Sequence, residues 1–190
     1  MSEIFVMGYD AKLAEKNGKP MGPVDRIVNI VSDLTHMELQ FSSRYHNLSY
    51  SATTIDGPNC SRFKDIKYSH LMERWVSRKI LVSEIEEETM FFTACLRAGT
   101  PYDVVGVTSL ATKLNIIKPD PQKTWCSKEV LIVLKSALPV IGDDDVTPDD
   151  ADAQIERFIE LQKGNKPTAK EMKFIKEYKE PKYASHSPQF

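Results

Sequence analysis

The sequence predicts an α+β fold, an antiparallel sheet packed against helices and followed by a charged helical tail. Three observations carry that prediction. Short stretches alternate apolar and polar residues with the two-residue period of half-buried strands, above all THMELQF over residues 35–41. Others carry apolar residues at helical spacing behind N-terminal capping signals. At Gly142 the composition turns acidic and then helical.

Taken in order, EIFVMGY (3–9) reads as a strand, and a polar loop with Gly18, Pro20, Gly22 and Pro23 follows. Behind Pro23, the residues Val24, Ile27, Val28 and Val31 recur at helical spacing, and proline suits a first helical turn. In THMELQF, Met37, Leu39 and Phe41 share one strand face, and His36, Glu38 and Gln40 share the other. LSYSATTI (48–55) is its expected antiparallel partner, ended by Asp56-Gly57-Pro58. RKILVSEI (78–85) begins as a strand, after which Ser83 and Glu86 form a capping box. The helix so opened carries Ile85, Phe91, Phe92 and Leu96, and stops at Gly99-Thr100-Pro101. PYDVVG leads into another helix, and CSKEVLIVL, from Cys126, forms one that ends before Pro139.

Beyond Gly142, Thr147 is the expected N-cap and Pro148 the first helical residue. Thr168 with Glu171 opens a last helix, and PKYASHSPQF reads as frayed. The expected organisation is a domain over 1–142 and an acidic linker with a helical tail over 143–190.

Composition limits the function. With 41% apolar and 27% charged residues and a formal charge of -2, the chain resembles an ordinary soluble domain with no bias toward nucleic acid. The run from Val130 to Leu134 is far short of the roughly 20 residues a bilayer span needs. MSEIFVMGYD lacks the basic and apolar blocks of a secretory signal. Three cysteines without CxxC spacing argue against a disulfide framework or a zinc ribbon, so a reduced intracellular protein is expected. DDDVTPDDADAQ has calcium-loop spacing but carries Pro148 and Gln154 where such a loop needs glycine and glutamate. No phosphate-binding glycine motif is present, and no cofactor or metal is expected. Lys170, Lys173, Lys176 and Lys179 stand among Met172, Phe174, Ile175 and Tyr178, a basic amphipathic pattern suited to weak membrane or protein contact.

The chemistry centres on Cys126. A helix N-terminus favours a thiolate through its unpaired amides and dipole, and the same amides can hold an oxyanion. A histidine must complete the pair. His186 lies in the frayed end, His46 in a hairpin loop and His70 among apolar neighbours, whereas His36 sits on a strand's polar face. Cys60 reads as a loop residue and Cys95 as a core residue.

THMELQF, SYSATTIDG, HLMERWV, PYDVVG and WCSKEVLIVL, in this order, resemble the circularly permuted branch of the NlpC-type papain-like thiol hydrolases. That branch includes the YiiX-like proteins and viral relatives and, more distantly, lecithin:retinol acyltransferase. The resemblance spans about residues 20–138. It implies a permuted papain-like fold in which the histidine strand precedes the cysteine helix, with Thr35-His36 and Cys126-Ser127 at the matching motifs. It implies a cytoplasmic, virus-encoded or virion-associated setting. Tyr102, Asp103 and Trp125 fall where substrate is bound, although for Asp103 pinning a loop is the favoured reading. Trp75 matches a tryptophan-bearing segment of the family.

The family's third polar residue, which orients the histidine, falls on Ser51, an uncharged replacement. Glu38 ranks second, and Thr54 is a third option if the hairpin register differs. The implied activity is hydrolysis of an amide, peptide or lipid ester bond through a Cys126 acyl-enzyme, with His36 as general base and acid. The alternatives are a non-catalytic binding protein that keeps the fold, and a membrane-acting acyltransferase or thioesterase.

Overall fold

The computed structural model describes residues 1–30, 32–54, 57–66, 68, 73–112 and 119–179. Its first half runs β1 (Ser2–Asp10), α1 (Ala11–Lys16), α2 (Pro23–Val28), β2 (Leu34–Gln40), β3 (Ser49–Thr53), β4 (Cys60–Lys64) and β5 (Trp75–Val82). The second half is helical: α3 (Glu84–Arg97), α4 (Val104–Thr112), α5 (Cys126–Lys135), α6 (Pro148–Gln162) and α7 (Ala169–Lys179). The five strands form one sheet in the order β4-β3-β2-β1-β5, and all pairings are antiparallel. This is the α+β architecture the alternating stretches predict.

The alternation places the core. Ile4 and Val6 of β1, Met37 and Leu39 of β2, Tyr50 of β3 and Ile80 and Val82 of β5 face a layer of helices. Val130, Leu131 and Leu134 of α5 fill its centre, at i, i+1 and i+4 on one helix face. Met90 and Ala94 of α3 flank them, and Ala151, Ile155 and Phe158 of α6 complete the same core.

Two elements were not expected. β4 holds CSRFK, which pairs with β3 from Ser49–Lys64 to Thr53–Cys60. α1 is a single short helix opened by the Asp10 carboxylate, which accepts the Leu13 N–H at 2.8 Å.

Of the apolar residues that α3 carries, Phe91 packs against the core and the other three face outward. Ile85, Phe92 and Leu96 are 62–77% exposed, while Glu87, Met90 and Ala94 turn inward. Glu87 Oε1 accepts the Ser42 N–H at 2.8 Å, while its buried Oε2 has no hydrogen-bond partner among the described residues.

The expected boundary at 142–143 does not separate a core from a tail. Besides its core residues, α6 is tied to the sheet by Asp152, which takes a two-pronged contact from Arg78 at 3.0 and 2.8 Å. Asp149 accepts the N–H groups of Asp33 and Leu34, where β2 begins, at 2.6 and 2.9 Å. Val31, Asp56, His70, and His186 with the segment expected to fray lie outside the described residues. Among the described residues, no helix is long and apolar enough to cross a membrane.

Candidate active site

The site forms where two neighbouring strands part. β2 and β3 pair only at Leu39–Tyr50 and Gln40–Ser49, so the first half of β2 lacks a β3 partner. The N-terminus of α5 enters that opening. The N–H of Met37, which a continued ladder would have used, is a hydrogen-bond donor to the Cys126 sulfur. The carbonyl of the same residue accepts the Ser51 hydroxyl at 2.5 Å.

Cys126 is the first residue of α5. Trp125, at the N-cap, offers no side-chain acceptor, and the Ser127 N–H donates to the sulfur. The helix is fixed three residues on by Glu129, a fully buried carboxylate. It accepts Nε and Nη2 of Arg97 at 2.9 and 2.7 Å, and the Tyr50 hydroxyl at 2.7 Å. These contacts set the roll of α5 against α3 and β3, and with it the direction of the thiol.

His36 lies within hydrogen-bond reach of Cys126. Its Nε2 is 2.9 Å from Oε1 of Glu38, which leaves Nδ1 for the thiol. Lys64 of β4 and the Tyr68 hydroxyl also contact the Glu38 carboxylate, and Tyr68 is 2.6 Å from the Ser49 hydroxyl. Trp75 packs edge-on to the imidazole with centroids 6.2 Å apart, and it also touches Tyr9 and Tyr68. Glu38 is 1% exposed, and the His36 side chain is 17% exposed.

These neighbours fix the charges. Burial would push the His36 pKa down, but the hydrogen bonds and charges of Cys126 and Glu38 outweigh it and hold the imidazole at about 9. Burial would raise Glu38, yet His36 and then Lys64 hold it at about 2. For Cys126, burial opposes ionisation, and the His36 contact with the Met37 and Ser127 amides overcomes it, so the thiol pKa is lowered. These shifts favour a thiolate facing an imidazolium.

Tyr102 reaches the same sulfur. Its backbone bridges to Thr124, two residues before Cys126, and its hydroxyl hydrogen-bonds the thiol. Burial first, and then the thiolate charge, raises its pKa, so it stays a protonated donor.

Three other expected site residues are placed elsewhere. Ser51 does not orient His36, because its hydroxyl is spent on the Met37 carbonyl left open where the strands part. Asp103 pins a loop. It caps α4 through the Gly106 N–H at 2.8 Å and accepts the Asp120 N–H at 3.0 Å. A Cβ on Gly106 would lie 2.3 Å from that carboxylate, so any other residue there would displace it. Trp125 is fully buried against Val28 and Val107, with its indole N–H donated to the Val146 carbonyl at 3.2 Å. The Ser127 hydroxyl donates to that same carbonyl at 2.7 Å.

Lys64, Tyr68 and Tyr9 are site neighbours that sequence reasoning misses, since they belong to other elements and to no motif. His46 stands in the turn between β2 and β3 with a left-handed backbone, φ 56°. Cys95 is exposed rather than buried. Among the described residues, no group of three His, Cys, Asp or Glu side chains is arranged to hold a metal ion. No family model, curated protein or solved structure matches the chain.

Proposed function

We propose that the chain is a cysteine hydrolase of the circularly permuted papain-like kind, acting on an amide, peptide or ester bond. The observation that carries this reading is the hydrogen-bonded series Cys126, His36, Glu38, with the thiol at a helix N-terminus. The order along the chain, histidine strand β2 before cysteine helix α5, agrees with the permuted arrangement.

The reaction follows from the protonation states. The Cys126 thiolate attacks the substrate carbonyl carbon, and the carbonyl oxygen becomes an oxyanion. The Met37 and Ser127 N–H groups and the Tyr102 O–H, all donors to the thiol, are at hand to stabilise that developing charge. The His36 imidazolium gives its proton to the leaving amine or alcohol as the C–N or C–O bond breaks. The neutral imidazole then takes a proton from water, hydroxide attacks the thioester, and the acid leaves with Cys126 restored. Glu38 holds the ring in place and favours its charged form throughout.

A non-catalytic binding protein gained support from an uncharged residue behind the histidine. With Glu38 in that position, no observation favours it. Iodoacetamide mapping near neutral pH tests the proposal: Cys126 should be alkylated well ahead of Cys60 and Cys95, and His36→Ala should erase the difference. Equal rates for the three thiols would sink the reading. With p-nitrophenyl acetate as acyl donor, the wild type should trap an acyl group on Cys126, and Cys126→Ala should trap none.

A further inference from the structure

The Glu38 carboxylate has more partners than the histidine needs. Oε1 receives both His36 Nε2, at 2.9 Å, and the Lys64 ammonium, while Oε2 receives the Tyr68 O–H. Tyr68 is itself bonded to Ser49 at 2.6 Å. The carboxylate is 1% exposed and the Lys64 side chain 19%, so this is a nearly dry ion pair drawn from β2 and β4. Together with the thiolate, the groups make a line of alternating sign: Cys126 negative, His36 positive, Glu38 negative, Lys64 positive.

We infer that Lys64 is a positioning residue for the proposed reaction: its ammonium anchors the Glu38 carboxylate against His36 and takes up part of its charge. The inference rests on the Cys126–His36 hydrolase reading. Its physical basis is the sharing of one oxygen. A carboxylate that faced the imidazolium alone would direct its full field at it, and in so dry a site that field is strong. The imidazolium would then hold its proton more tightly and pass it less readily to a leaving group. With Lys64 on the same oxygen, the imidazole is charged at rest yet still acidic enough to act.

The other groups around the ring leave this role to Lys64. His36 is faced by Cys126 from α5, by Tyr102 beside that thiol, and by Tyr9, its cross-strand neighbour on β1. Trp75 of β5 is uncharged. The Asp25 carboxylate of α2 accepts the Thr35 hydroxyl at 3.0 Å, and the charges of Asp25, Asp10 and Arg74 are felt at Tyr9. None of these shares the Glu38 oxygen that holds Nε2.

The test is a nuclear magnetic resonance titration of the His36 ring in the full chain, for the wild type, Lys64→Met and Lys64→Arg. In Lys64→Met the proton affinity of His36 should rise about tenfold, and turnover of p-nitrophenyl acetate should fall. Lys64→Arg, which keeps the charge, should restore the wild-type titration. If Lys64→Met does not fold, Lys64→Gln keeps a donor on Glu38 without the charge and carries the same expectation. An unmoved His36 titration in a folded, uncharged variant overturns the inference and makes Lys64 a structural residue only. Alkylation keeps the two claims apart. Rapid reaction of wild-type Cys126 with an unmoved titration removes only the role of Lys64, whereas slow wild-type reaction removes the hydrolase reading beneath it.

Discussion

His36 carries two anionic partners at once, and both raise its proton affinity. Glu38→Gln keeps the shape of that contact and removes its charge, so the imidazole should fall from about 9 toward its ordinary 6.5. A histidine titration reads the change directly, and an unchanged value would deny Glu38 its role. The same shifts make folding pH-dependent. His36 binds its proton more tightly folded than unfolded, so its contribution to stability is complete below about pH 6.5 and is lost as pH rises through about 9. Glu38 acts in the opposite sense, complete above about 4.5 and lost as pH falls through about 2. The lowered thiol of Cys126 acts against His36 over the same range, so urea unfolding from pH 5 to 10 should show the alkaline loss in Cys126→Ala, and a flatter profile when Glu38→Gln is added. Ser51 is a separate residue-scale prediction. Ser51→Ala leaves the Met37 carbonyl buried without its donor and should cost about 1–3 kcal/mol in denaturant unfolding.

Helix α5 aims the thiol, and Glu129 aims α5. Arg97→Met would leave that carboxylate buried with only the Tyr50 hydroxyl. Breaking such a pair by removing one partner costs about 3–5 kcal/mol, so the urea midpoint should drop sharply and Cys126 alkylation should slow. At this scale the sequence is informative where the signal is local. The alternation of THMELQF and the capping boxes at Ser83 and Thr168 mark their elements, and CSKEVLIVL marks the cysteine helix. β4 escapes notice because five residues beside Asn59 and Pro58 show no clear period, and its pairing partner lies on β3. The buried face of α3 is not legible, because Phe91 packs inward beside the smaller Met90 and Ala94 while Phe92 and Leu96 turn outward. Cys126 and His36 are legible from motif and position. The choice between Ser51 and Glu38 is not, because side chains two apart on a strand ordinarily diverge at their tips. It is the cover of Lys64 and Tyr68, brought from outside β2, that holds Glu38 at the ring.

For the whole molecule, the segment after Gly142 is part of what makes the site. The Val146 carbonyl receives both Trp125 and Ser127 at the start of α5, and Asp149 receives the amides that begin β2. The segment thus straps the cysteine element and the histidine element to one another. A chain cut after residue 142 should lose cooperative unfolding and the selective alkylation of Cys126, as seen by circular dichroism and adduct mapping. Phe158→Ala, which only hollows the α6 contact, should cost about 3–5 kcal/mol and leave the selectivity in place at temperatures below the transition. A truncated chain that melts cooperatively with a reactive Cys126 would contradict this account.

The parting of β2 from β3 gives the protein a built-in reporter. The Met37 amide is bonded to sulfur where a sheet would have bonded it to oxygen, so its nitrogen resonance should follow the state of the thiol. Alkylating Cys126 should displace that single backbone signal far more than its neighbours at Leu39 and Gln40, whose ladder contacts to β3 are intact. The state of the Cys126 thiol could thus be watched in a mixture of unlabelled compounds, through one peak.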